Sequence, residues 1–140
     1  MNYLVIWGSD NEHEVSSAAE LDELLAQVTK LGEPHVVGVY PPGYRNNETS
    51  PWDDPPSGGL ELGVGHPERS FLFWYGEDGG WGHEPHVPPM PEDEADIEFN
   101  HFNEVMFCGG ERGRVRPDTA REAARQYIET GQRPTAVQWG

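Results

Sequence analysis

His66-Pro67-Glu68 has the spacing of one half of a zinc deaminase site, in which a histidine ligates the metal and a glutamate shuttles protons. The other half requires two cysteines as C-x-x-C, and Cys108 is the chain's single cysteine, so the pattern reads as a polar turn. His83 and His86 flank Glu84 and could meet around a metal, but they lie in a Gly/Pro-rich stretch, whereas metal ligands need rigid elements and supporting hydrogen bonds. His101 and Cys108 offer a base and a nucleophile without a third group to orient them, and Cys108 is expected at a strand end in the core. Asp53, Asp54, Glu61 and Glu68 allow carboxylate pairs for acid/base work, yet in a chain with 25 acidic residues such pairs arise by chance. Gly-Gly at 58–59, 79–80 and 109–110 matches neither phosphate-loop pattern. These residues assign no catalytic group, no metal and no cofactor.

The elements that would position such groups describe a small α+β domain over residues 1–140. Its sheet is mostly antiparallel, with two main helices (about 17–31 and 117–130) and long Gly/Pro-rich loops. Tyr3-Leu4-Val5-Ile6-Trp7 reads as a first strand; five apolar residues without a basic lead fit neither a signal peptide nor a membrane span. Ser17 with Glu20 three residues on has the capping-box form, and Leu21, Leu24, Leu25, Val28 and Leu31 then share a helical face up to Gly32. Val36 to Tyr40 is a β-branched run between prolines, a strand buried on both faces. Residues 60–76 read as a hairpin, with Leu60, Leu62 and Val64 alternating against the aromatic run Phe71 to Tyr75. Ile97, Phe99 and His101, then Val105, Met106 and Phe107, suggest two further strands. Pro117 opens a helix whose buried stripe is Ala120, Ala123, Ala124, Tyr127 and Ile128; Gly131 ends it, and Ala136 to Trp139 forms a last strand. Residues 41–59 and 77–96 are expected to be irregular.

Charge decides which partners this scaffold tolerates. The formal charge is −16, and residues 1–111 hold 22 acids against Lys30, Arg45 and Arg69 alone, whereas residues 112–140 hold six arginines against three acids. Nucleic-acid binding needs a basic surface to displace counterions, so it is excluded along with phosphate. Arg112, Arg114 and Arg116 form the one basic cluster, and their simplest role is to offset neighbouring acids. Trp74 belongs to the core. Trp52, beside Asp53 and Asp54, and Trp81, after Glu77 and Asp78, sit in Gly/Pro loops, where they either cover the core beneath or anchor an interface. An acidic surface with aromatic anchors suits a basic protein partner, and an enzyme acting on nucleic acid has a positive cleft by necessity.

Three segments carry a family resemblance: Ala19 to Leu25, the hairpin Leu60–Val64 with Phe71–Tyr75, and Ala120 to Trp139. The last is the most specific, in its Thr-Gly-x-Arg-Pro-Thr-x-Val-x-Trp from Thr130 to Trp139. In these segments, somewhat under half of the chain, the sequence resembles the bacterial immunity proteins of polymorphic toxin systems, of the immunity protein 1 type, associated with toxins of the deaminase superfamily. The resemblance implies an α+β inhibitor that is not an enzyme, and that binds and neutralises a co-produced toxin in the cytoplasm. It supplies no catalytic residue, and it maps a structural tryptophan onto Trp139. Loops 41–59 and 77–96 look expanded beside the family's usual pattern, and variable loops are where partner specificity resides.

The expected toxin-binding residues are Trp52, Asp53, Asp54, Trp81, Glu92, Asp93, Glu94 and Asp96, facing a toxin with a basic surface, with no nucleic acid and no membrane as partner. The competing readings are a small metal-dependent or hydrolytic enzyme using His66, His83, His86 or His101, and a general acidic interaction module.

Overall fold

A computed structural model describes residues 2–8, 11–44, 58–76, 79–91, 97–108 and 110–139. In chain order the elements are β1 (Tyr3–Trp7), β2 (Asn11–Val15), α1 (Ala18–Thr29), β3 (His35–Tyr40), β4 (Leu60–Val64), β5 (Leu72–Trp74), β6 (Gly80–His83), β7 (Ile97–His101), β8 (Glu104–Cys108), α2 (Pro117–Thr130) and β9 (Gln138–Trp139). The strands run in the order β2-β1-β3-β4-β5-β6-β9, antiparallel throughout this path. The fold is α+β, as expected.

The sheet branches at β3. Along one edge β4 pairs with His35 through Val39; along the other, β1 pairs only from Val37 to Tyr40. That leaves the start of β3 open on the β1 side, and β7 enters there in parallel, with His35 opposite Asn100 and the Asn100 amide donating to the Pro34 carbonyl at 2.9 Å. β7 and β8 form an antiparallel hairpin of their own.

Two helices cover one face of the sheet. Val37 and Val39 of β3 and Leu60, Leu62 and Val64 of β4 turn towards Leu21, Leu24, Leu25 and Val28 of α1 and the alanine stripe of α2. Small alanines bring α2 close to the strands. Ser17 caps α1, its hydroxyl accepting from the Glu20 amide at 3.2 Å; the returning arm of the expected capping box lands one residue earlier, where Ser16 Oγ donates to the Glu20 carboxylate at 2.6 Å. The helix ends at Thr29, so Leu31 falls outside the expected stripe and is 54 % exposed. α2 runs from Pro117 to a left-handed Gly131 (φ +70°), and its five expected core residues are all buried.

Two strands escaped sequence reading. β2 is polar from Asn11 to Glu14, with Val15 alone buried in the core, and owes its form mainly to register along β1. As the sheet's edge it carries the charges that discourage further pairing. β6 is Gly-Trp-Gly-His, a composition that reads as loop. Its glycine is needed: a Cβ on Gly82 would lie 2.7 Å from the Val137 side chain and 3.1 Å from the Trp139 ring, so β9 could not approach.

Candidate functional site on the sheet face opposite the helices

Alternation along β3 and β4 sends Val36, Tyr40, Glu61 and Gly63 to the face away from the helices. Gly38 makes room there, because the Tyr40 ring lies over it where any side chain would stand. The Tyr40 hydroxyl donates to Glu61 Oε2 at 3.2 Å, the Tyr75 hydroxyl donates to the same oxygen at 2.5 Å, and His101 Nε2 lies 3.3 Å from Oε1. Glu61 and Tyr40 are fully buried, Tyr75 and His101 nearly so. Burying a carboxyl group without partners costs several kcal/mol, and four residues from β3, β4, β7 and the end of β5 meet here to avoid that cost. Burial first, and then the neighbouring Glu61 charge, raises both tyrosines well above the usual phenol range, so both hydroxyls stay protonated as donors. Among the acids singled out from sequence, Glu61 is the one that this packing ties to other titratable groups, and it is sealed from substrate.

The other chemistry candidates disperse. His66 Nδ1 accepts the amides of Glu68 and Arg69 at 3.2 and 3.0 Å, a turn closure, and burial lowers its affinity for a proton. His101 and Cys108 stand at opposite ends of the hairpin, opposite Glu104 and Ile97 respectively. Burial pushes the Cys108 thiol up to about 12, against a smaller pull from Arg112, so it is an inert core group as expected. Glu84 is committed elsewhere: it accepts from the Arg116 amide at 2.8 Å, the Arg116 guanidinium at 3.0 Å and the Thr119 hydroxyl at 2.7 Å, at the start of α2. Burial works to raise the Glu84 carboxyl, but those hydrogen bonds win and hold it below the usual carboxylate range. Its neighbour His86 is exposed and 3.7 Å away. Among the described residues no three His, Cys, Asp or Glu side chains converge as a metal site.

Of the expected toxin-binding residues, Trp52, Asp53, Asp54, Glu92, Asp93, Glu94 and Asp96 lie outside the described residues. Trp81 is described, and its expected loop is a strand: it sits in β6 opposite Phe73, with its ring 5.0 Å from Phe73 and 5.7 Å from Phe71. The pairing of β6 with β5 and β9 overrides the loop signal of its glycines. The Arg112 guanidinium lies 4.8 Å above the indole, a cation–π contact rather than the expected pairing with an acid. Trp81 is half-buried and borders an open hollow of about 600 Å³ that reaches Phe102, Met106 and Arg112.

The basic cluster is largely spent inside the fold. Arg114 Nε donates to the Val87 carbonyl at 2.8 Å and Arg116 pairs with Glu84; outside the cluster, Arg125 bridges α2 to α1 through Asp22 at 2.9 Å and pairs with Glu122 of its own helix at 2.7 Å. Arg69 donates to the carbonyls of Pro88 and Gly113.

The β7–β8 hairpin, in contrast, presents a surface. Its inner face buries Ile97, Phe99, His101 and Cys108, while its outer face carries Glu98 opposite Phe107 and Asn100 opposite Val105. Phe107 is 58 % exposed and Val105 62 %. Sequence reading found the two strands and missed their pairing and this open face, because a strand pattern alone does not say which face the sheet will cover.

The C-terminal motif is a self-locking unit. The Thr130 hydroxyl donates to the Gln126 carbonyl, Gly131 takes the left-handed cap, the Gln126 side chain brackets Thr135 through two bonds of 2.6 and 3.0 Å, and the Trp139 indole donates to the Pro134 carbonyl at 2.8 Å. Val137 is buried between α2 and β6 partners.

The site thus comprises an α+β scaffold with an acidic surplus, a buried polar network around Glu61 and an exposed β7–β8 hairpin. The family model for Immunity protein Imm1 matches residues 9–140, and the chain belongs to that family. No curated protein matches it. No described helix is long and apolar enough to cross a membrane.

Proposed function

We propose that this chain is the cytoplasmic immunity partner of a co-produced toxin that deaminates nucleic acid, and that it occludes the toxin's basic cleft with acidic and aromatic residues without catalysing a reaction. Family membership supports a cognate toxin as partner. The observation that carries the rest is charge: −16 for the chain, concentrated before residue 112, with the arginines Arg114, Arg116 and Arg125 engaged inside the fold. Such a field draws a positive cleft and repels nucleic acid itself. Trp52, Asp53, Asp54, Trp81, Glu92, Asp93, Glu94 and Asp96 remain the contacts put forward from sequence.

Co-expression tests the reading: cells producing the toxin encoded immediately upstream should grow only when this chain is made with it, and an absence of rescue sinks the proposal. A deaminase is then distinguished by C-to-T or A-to-G changes accumulating in unprotected cells. Raising salt should slow association far more than it speeds dissociation.

A further inference from the structure

We infer that the outer face of the β7–β8 hairpin is the toxin-docking surface, with Phe107 and Val105 as its apolar anchors and Glu33, Glu98 and Glu104 as its charged rim. This rests on the immunity reading above and adds where the toxin sits and what it must present.

Among the described residues three large apolar side chains are exposed, Leu31, Val105 and Phe107, and two of them stand side by side on one face of β8. Burial on the inner face does not require them: Ile97, Phe99 and Cys108 already pack there against Val36 and Phe71. Among the described residues β8 pairs with β7 alone, so its outer edge has no strand partner. Natural edges are blunted by lysine, proline or charge, as β2 is in this same sheet. β8 reads Glu-Val-Met-Phe-Cys, apolar after its first residue, which is the composition of an edge that something covers.

The surroundings choose the occupant. Beside Val105 a hollow of about 360 Å³ is bordered by Glu33, Pro34, Glu98, Asn100 and Glu104. None of these three carboxylates forms an ion pair among the described residues, and all three glutamates are exposed. A second copy of the chain would bring like charges together across the anchors, a juxtaposition that costs several kcal/mol in other interfaces. The complementary partner is therefore a basic protein surface: an apolar pocket for Phe107 and Val105 bordered by lysines or arginines that meet the rim. Aromatic anchors enclosed by charge are where binding energy concentrates.

The test uses the full chain and the purified toxin encoded immediately upstream. The double variant Val105→Ser/Phe107→Ser should raise the Kd about 30-fold or more, mainly through faster dissociation, and Phe107→Lys should do at least as much by adding like charge against the basic rim. Leu31→Ser, which removes an equally exposed apolar group elsewhere, should leave the Kd unchanged. Glu33→Gln/Glu98→Gln/Glu104→Gln should slow association and flatten its salt dependence. Unaltered melting temperatures in the same samples exclude unfolding as the cause. If the Val105/Phe107 variants bind like the wild type while the wild type protects cells, the docking surface is wrong and the immunity reading stands. If the wild type neither binds nor protects, both fall together. A wild-type dimer in sedimentation that the double variant abolishes, with toxin binding untouched, would show a self-association face and overturn the inference.

Discussion

The two faces of the sheet are built by different physics. Against the helices the contacts are aliphatic and interchangeable in kind: Leu21, Leu25, Val28, Val37, Val39, Leu60 and Leu62 are completely buried, with alanines from α2 filling the gaps. On the other face two tyrosines, a histidine and a carboxylate share one buried network, and two glycines hold space open for aromatic rings. The first arrangement makes stability from area. The second makes one specific geometry, because each polar group depends on the others remaining in place. It lies under the part of the fold that carries the exposed hairpin, through His101 of β7. The network therefore fixes His101, and with it the turn end of β7, against β3 and β4.

Single truncations on the two faces should cost similar amounts and respond oppositely to repair. Leu25→Ala removes a fully buried side chain and should destabilise by about 2–5 kcal/mol. Glu61→Ala removes the acceptor that the Tyr40 and Tyr75 hydroxyls share and should cost about 1–3 kcal/mol for each hydroxyl that loses it. Combining Glu61→Leu with Tyr40→Phe and Tyr75→Phe removes both hydroxyls together with their acceptor, leaving His101 alone to lose its Glu61 contact, and should recover most of that loss, whereas no change of neighbouring polar partners can fill the Leu25 cavity. Urea denaturation of the series decides between them. If the apolar triple variant stays as unstable as Glu61→Ala, the network is not what holds this face.

The next effect concerns the join between sheet and hairpin. A Cβ on Gly63 would lie 2.6 Å from the Phe99 ring and 2.9 Å from the Phe71 ring. Gly63→Ala should therefore push β7–β8 away from β4 and cost about 1–3 kcal/mol. Hydrogen exchange should accelerate in residues 97–108 while the amides of α1 keep their protection. Uniform acceleration would mean that the two faces unfold as one unit and that the contrast between them is not energetic.

The helix face was legible in the sequence because period and punctuation agree there: the stripe Ala120, Ala123, Ala124, Tyr127 and Ile128 lies between Pro117 and Gly131, and all five are buried as read. The unbroken run Val36 to Tyr40 announced a strand covered on both sides, and so it is. The far face was not legible, since its features are relations between distant positions. Glu61 looked like one acid among 25 because Tyr40, Tyr75 and His101 are 21, 14 and 40 residues away. Trp81 was singled out as an aromatic near charge, yet Arg112 and the phenylalanines of β5 and its flank occupy much of its ring. Phe107, exposed opposite Glu98, is also an aromatic beside an acid, and the apolar run Val105-Met106-Phe107 placed it in a strand without saying that its face would remain open. The motif from Thr130 to Trp139, which needs no fold to be read, pointed to the family whose model matches residues 9–140.

The smallest effect tests the seam where the faces meet at the start of α2. Glu84 is 4 % exposed and is held ionised by Arg116 and Thr119, although the Arg116 side chain is 58 % exposed and its contribution is screened accordingly. Because the folded-state value lies below the ordinary 4.5, the unfolded chain binds the proton more readily. The stabilisation is therefore complete above about pH 4.5 and is lost as pH falls through the folded value. Glu84→Gln should be less stable than the wild type by about 1–2 kcal/mol at pH 7, and the gap should narrow steadily below pH 4.5 in urea melts. Comparing the two proteins at each pH cancels the protonation of the chain's other acids. A gap that persists unchanged at pH 3 would assign the role of Glu84 to packing and leave its charge without effect on the anchoring of α2.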